Sequence, residues 1–142
     1  MKKILLAAML FVAAGSSAFA LDAAKVNFRV KSSFESLFAD AKNVQWDAKE
    51  NYVKATFLYD DETIEAFFGA DGELIGQSRK VAMKELPKNA QQKIKKDYGN
   101  YTVTDAIEFV KDGDKSYYVS LEDGAKKRIL QVSLFGSISL YK

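Results

Sequence analysis

From Val30 onward, apolar side chains return at helical spacing. Val30, Phe34, Leu37, Phe38 and Ala41 stand at i, i+4, i+7, i+8 and i+11, one face of an α-helix. Lys31, Ser32, Ser33, Glu35 and Ser36 occupy the other side, and Asn27 is placed to cap the first turn. Past Asn43 the period changes to two. Val44 and Trp46 begin a short strand, Val53, Ala55, Phe57 and Tyr59 alternate with Lys54 and Thr56, and Ile64, Ala66 and Phe68 alternate with Thr63, Glu65 and Phe67. Gly69-Ala70-Asp71-Gly72 then turns the chain into a fourth segment, Glu73 to Lys80. The connections 47–51, 60–62 and 69–72 are hairpin-length and rich in turn formers.

The same order returns in the second half. Leu86, Ala90, Ile94 and Tyr98 mark a helix with Pro87 in its first turn and Gly99 placed to stop it. Strand-like segments follow at Tyr101–Lys111, Lys115–Glu122, Lys127–Leu134 and Ser137–Tyr141, separated by Asp112-Gly113, Asp123-Gly124 and Phe135-Gly136. A shift of 64 positions lays Ala66 on Leu130, Phe68 on Val132, Gly72 on Gly136 and Leu74 on Ile138. The first helix aligns at a shift of 60, Phe34 on Ile94 and Phe38 on Tyr98. The pattern predicts an α+β fold of two α-β-β-β-β repeats, about 26–80 and about 84–142. Its sheet is antiparallel, with both helices packed on one face.

Ahead of this lies a secretory leader pattern over residues 1–20: Lys2 and Lys3, an uncharged apolar run from Ile4 to Ala14, and Ala18-Phe19-Ala20 as an A-x-A cleavage site. Before polar Gly15-Ser16-Ser17 intervenes, the apolar run is too short for a spanning helix. The expected mature protein, 21–142, is one domain, periplasmic or secreted, with no transmembrane segment after cleavage. Lys2 and Lys3 account for the whole excess of 21 basic over 19 acidic residues. A balanced mature chain carries no nucleic-acid footprint. Cys and His are both absent, which removes disulfides, the usual zinc sites, Cys nucleophiles and Ser-His or Cys-His pairs.

The remaining candidates are weak as chemistry. Asp60-Asp61-Glu62, Asp112-Gly113-Asp114 and Glu122-Asp123-Gly124 read as hairpin tips rather than calcium loops or paired catalytic acids. Counted from Asp112, an EF-hand would need Gly and Glu where Tyr117 and Asp123 stand. Ser139 and Lys142 have S-x-x-K spacing, but residues three apart on a strand face opposite ways. Lys88, Lys93, Lys95 and Lys96 make the second helix basic, as a solvated face or as a contact for an acidic partner or an anionic membrane. Among the aromatics, Phe34, Phe38, Trp46, Phe57, Phe68 and Tyr98 fall on the helix-covered side. Phe67, Tyr118 and Tyr141 have the opposite strand parity, beside Glu65, Ile129 and Gln131. Exposed aromatics among polar neighbours have the composition of a recognition surface.

Phe34-x-x-x-Phe38-x-x-Ala41-x-x-Val44-x-Trp46, Val53-x-Ala55-x-Phe57, Gly72-x-Leu74, Leu86-Pro87 and Tyr117-x-Val119-x-Leu121 together resemble the PepSY-like family of exported bacterial proteins, also described as β-lactamase-inhibitor-like. The resemblance runs from about Val26 to the end. Ala39 stands where the family often has Pro, and Gly99-Asn100 replaces a proline turn. It implies protein binding or inhibition, by analogy of fold.

The sequence therefore points to an exported, non-enzymatic protein-binding module without cofactor or metal. Its expected binding residues are Glu65, Phe67, Tyr118, Ile129, Gln131 and Tyr141. The expected partner is an exported or envelope protein, with a second copy of the chain as an alternative occupant. A periplasmic small-ligand carrier or envelope sensor is the second reading. It requires an apolar pocket of roughly 300 Å³ or more between helix and sheet.

Overall fold

Asn27 stands at the head of the first helix. Its side-chain oxygen accepts the Val30 N–H at 3.0 Å, which caps helix α1, Phe28–Leu37. The structure, a computed structural model, describes residues 25–142; the leader-like stretch 1–20 lies outside the described residues. Four strands follow α1: β1 Lys42–Ala48, β2 Val53–Tyr59, β3 Glu62–Phe68 and β4 Leu74–Lys80. After a 3₁₀ turn, Met83–Glu85, come helix α2 at Lys88–Asp97 and strands β5 Thr102–Lys111, β6 Asp114–Asp123, β7 Lys126–Ser133 and β8 Ile138–Leu140. The fold is α+β: two helices and an antiparallel sheet of eight strands in chain order.

The chain divides into two compact units, one running to Ile75 and the other from Gly76 to Lys142, with the division inside β4. In the first unit, Val30 and Phe34 of α1 pack on Ala55, Phe57, Ala66 and Phe68. Phe34 meets Trp46 and Phe57 edge-on, each at 5.0 Å between ring centres. The helix ends sooner than its sequence pattern predicts. Leu37 is its last residue and is exposed, and Ala41 lies beyond the helix. Phe38, in the C-cap, donates its N–H to Phe34 O at 2.8 Å and lays its ring 4.8 Å from Phe57. The helix face is completed by a residue outside the helix.

In the second unit, Leu86, Ala90 and Ile94 pack on Ala106, Tyr117, Val119, Leu121, Leu130 and Val132. Pro87 is the N-cap residue rather than part of the first turn. The acidic clusters form turns. Asp60-Asp61 and Asp112-Gly113 take positive φ at both central positions of two-residue hairpins, the backbone twist that matches the flanking strands.

Candidate functional site

Strand parity orients the expected binding residues. Phe67 lies between Ala66 and Phe68, which face α1, so its ring points to the other side of β3. Register then places Asp47 opposite Lys54 and Lys54 opposite Phe67. Tyr52 packs edge-on against Phe67 at 5.8 Å. Lys54 is buried, with Nζ 3.4 Å from Glu65 Oε1, and Lys49 Nζ lies 3.0 Å from the buried Asp47. Burial, with the Asp47 charge adding to it, raises the Tyr52 pKa above the ordinary tyrosine value.

In the second unit the same side of the strands carries Phe109, Tyr118, Ile129, Gln131 and Tyr141. Gly76 leaves the slot in which the Phe109 ring lies: a Cβ there would stand 2.5 Å from Phe109 Cζ. Phe109 meets Tyr118 edge-on at 6.4 Å, and Tyr118 meets Tyr141 at 5.2 Å. Tyr118 is registered against Gln131. The C-terminal end is tied to Ile129, which accepts the Tyr141 N–H and donates to Lys142 O, each at 2.7 Å. Burial, with Tyr141 contributing, pushes the Tyr118 pKa up to about 12.

Tyr118, Ile129, Gln131 and Tyr141 thus come together, and in the first unit Glu65 and Phe67 join through Lys54. The expected exposure fails for three of the six: Phe67 is 1% exposed, Tyr118 4% and Ile129 7%. They point away from their helices, but side chains on neighbouring strands lie across them. A ring beside a long lysine stem or another ring loses water on its flanks even where no helix covers it. Glu65, Gln131 and Tyr141 are half-exposed. Sequence reasoning missed Tyr52, Lys54 and Phe109 as members of this face. For Phe109 the signal was present, since it has the opposite parity to Ala106.

A groove of about 400 Å³ lies between the end of α1 and β1, lined by Phe34, Phe38, Ala41, Val44 and Trp46, with Lys31 and Glu35 also on its walls. Among the described residues, no three His, Cys, Asp or Glu side chains converge as metal ligands would. No described helix is long and apolar enough to cross a membrane.

Solved structures decide the fold. A BLIP-like protein from Bacteroides fragilis superposes with a TM-score of 0.69 at 20% identity, over 80% of this chain and 82% of that one. A DUF2874 family protein from Bacteroides uniformis gives 0.71 at 17% identity over 79% and 85%. Another from Bacteroides ovatus gives 0.69 at 16% over 80% and 86%. The chain has a BLIP-like fold. At these identities the BLIP-like likeness is one of architecture and assigns no residue a role. No protein-family model and no curated protein matches the sequence.

Proposed function

We propose that this chain is an exported, non-enzymatic, PepSY-like binding module, built from two copies of one α-ββββ unit, that takes a protein partner on the sheet face turned away from the helix. The observation that carries this reading is the packed aromatic base of the second unit. Tyr118 is wedged between Phe109 and Tyr141, and the half-exposed Tyr141 and Gln131 sit at its margin. A ring held by its neighbours loses little freedom on binding, which is why rigid aromatic positions dominate interface energetics. In the first unit, Glu65 offers a half-exposed carboxylate beside Phe67. The leader pattern supports a periplasmic or secreted location, and the BLIP-like architecture is compatible with a binding role by analogy.

The test changes the half-exposed margin. Tyr141→Ser combined with Gln131→Lys removes one of the two rings against Tyr118, so the thermal midpoint should fall modestly, and the folded double variant should lose capture of the partner from envelope extract. Undiminished capture by a folded double variant overturns the proposal.

The groove beside β1 favours a second reading, a small-ligand carrier, because its volume and its aromatic wall of Phe34, Phe38 and Trp46, edged by Lys31 and Glu35, suit a compact ligand with an apolar body. Trp46 in its wall reports occupancy. Titration of a panel of apolar probes should change Trp46 fluorescence saturably, and Ala41→Trp should block it; a flat response removes this reading.

A further inference from the structure

The β7–β8 turn exposes two large apolar side chains, Leu134 at 51% and Phe135 at 84%. The turn itself is tightly held. Gly136 N–H donates to Ser133 O at 2.9 Å, Ser137 N–H to Ser133 Oγ at 3.1 Å, and Asn89 Nδ2 of α2 to Phe135 O at 3.0 Å. Gly136 has φ +84°, and a Cβ there would run into the Asn89 side chain.

Nothing in the turn requires Leu and Phe. The first unit makes a matching turn before Gly72, φ +87°, where Asn27 Nδ2 donates to Ala70 O at 2.9 Å. The tip residues there are Ala70 and Asp71, and Asp71 Oδ1 accepts the Glu73 N–H at 3.0 Å. One clamp therefore supports a polar tip in one unit and an apolar tip in the other.

Charge surrounds the apolar tip. Asn89, Lys93 and Lys96 stand at i, i+4 and i+7 of α2, so both lysines share the side of the helix that holds the turn. Lys88 and Lys95 are also exposed, whereas Ala90 and Ile94 are buried on the core side. Asp97 pairs with Lys93 at 3.0 Å, so Lys93 reaches a headgroup only by giving up that pair, and Lys96 carries more of the charge on this side of the helix. Glu85 accepts the Ala82 N–H at 2.7 Å and pairs with Arg79 at 3.3 Å, and these bonds, the backbone one foremost, hold it below the usual carboxylate range.

We propose that Leu134 and Phe135, flanked by the lysines of α2, dock this protein onto an anionic lipid surface, the two side chains entering the bilayer interface and the lysines pairing with headgroups. A protruding pair of side chains needs no complementary pocket in a fluid bilayer, whereas a protein partner would need about 800 Å² of matched surface. A two-fold contact with a second copy would set lysines against lysines. This inference is independent of the sheet-face reading, since none of its residues belongs to that patch.

The test is co-sedimentation of the purified protein, its mass showing that residues 1–20 are gone, with phosphatidylcholine vesicles and with vesicles also containing phosphatidylglycerol. Binding is expected to the mixed vesicles and to weaken with salt. Phe135→Ser should lower the affinity at least about tenfold and Lys96→Gln roughly fivefold, while Lys93→Gln, whose lysine is paired with Asp97, should cost less, with unfolding curves like the parent's. Equal binding to both vesicles, binding to neither, or full binding by folded Phe135→Ser overturns the proposal. So does Phe135-dependent self-association, or capture of an acidic protein, without vesicle binding.

Discussion

Each unit packs one helix on antiparallel strands, yet the two fill their interiors differently. Phe34, Phe57 and Phe68 interlock edge to face beneath α1, with Trp46 and Phe38 at the margin. Beneath α2 the buried side chains are mainly aliphatic: Leu86, Ile94, Val119, Leu130 and Val132. The two units do agree in one backbone detail. An asparagine at the head of the helix reaches the turn before the last strand, and a left-handed glycine lets that turn approach the helix closely. Alternation and close approach are what the two share. Aromatic and aliphatic side chains fill the space under a helix equally well.

Core truncation should separate the units most strongly. Phe34→Ala leaves a cavity among four rings and should cost about 3–5 kcal/mol, and Ile94→Ala about 2–4, both read from denaturant midpoints. Equal losses would mean that the aromatic interior relaxes as readily as the aliphatic one. Alanine at the left-handed glycines comes next. In the first unit Gly72→Ala would press its methyl to 2.8 Å from Arg29 O, a backbone atom that cannot move away, and should cost roughly 2 kcal/mol or more. Gly136→Ala meets the Asn89 side chain, which can swing aside, so roughly 1 kcal/mol is expected.

Alkali probes the strand face of both units, because burial raises Tyr52 as well as Tyr118. An unfolded phenol ionises near pH 10. The folded Tyr118 holds its proton to about 12, so its contribution is complete below about 10 and lost as pH rises toward 12. Unfolding midpoints measured against pH should fall over that window, and Tyr118→Phe should flatten the fall. The clamps separate the units by a smaller margin. Asn27 both caps Val30 and binds Ala70 O, so Asn27→Ala should cost about 1–2 kcal/mol, against roughly 0.5–1 for Asn89→Ala.

Most of the architecture was legible because it rests on local periodicity. The eight strands fall where period two runs between Gly- and Asp-rich breaks, and Asn27, Phe34 and Ile94 take the places their spacing demands. The end of α1 was less legible: Phe38 and Ala41 continue the helical spacing although the helix stops at Leu37. The strand face turned from each helix was half legible. Alternation gives the side to which Phe67 and Tyr118 point, but not whether water reaches them. That depends on which residues register opposite and which rings lie alongside: Lys54 and Tyr52 around Phe67, Phe109 and Tyr141 around Tyr118. These are partnerships across strands, and no single segment encodes them. The slot that Gly76 opens for Phe109 is of the same kind.

The sheet's two border strands have a consequence for crowding. The pairing of β1 with β2 skips between Lys42 and Gln45, with Asn43 at positive φ, and β8 has three residues, Ile138–Leu140. Among the described residues, neither border presents a long, straight row of free amides and carbonyls onto which a neighbouring molecule could zip, so edge-to-edge growth into fibres is expected to be disfavoured at high concentration.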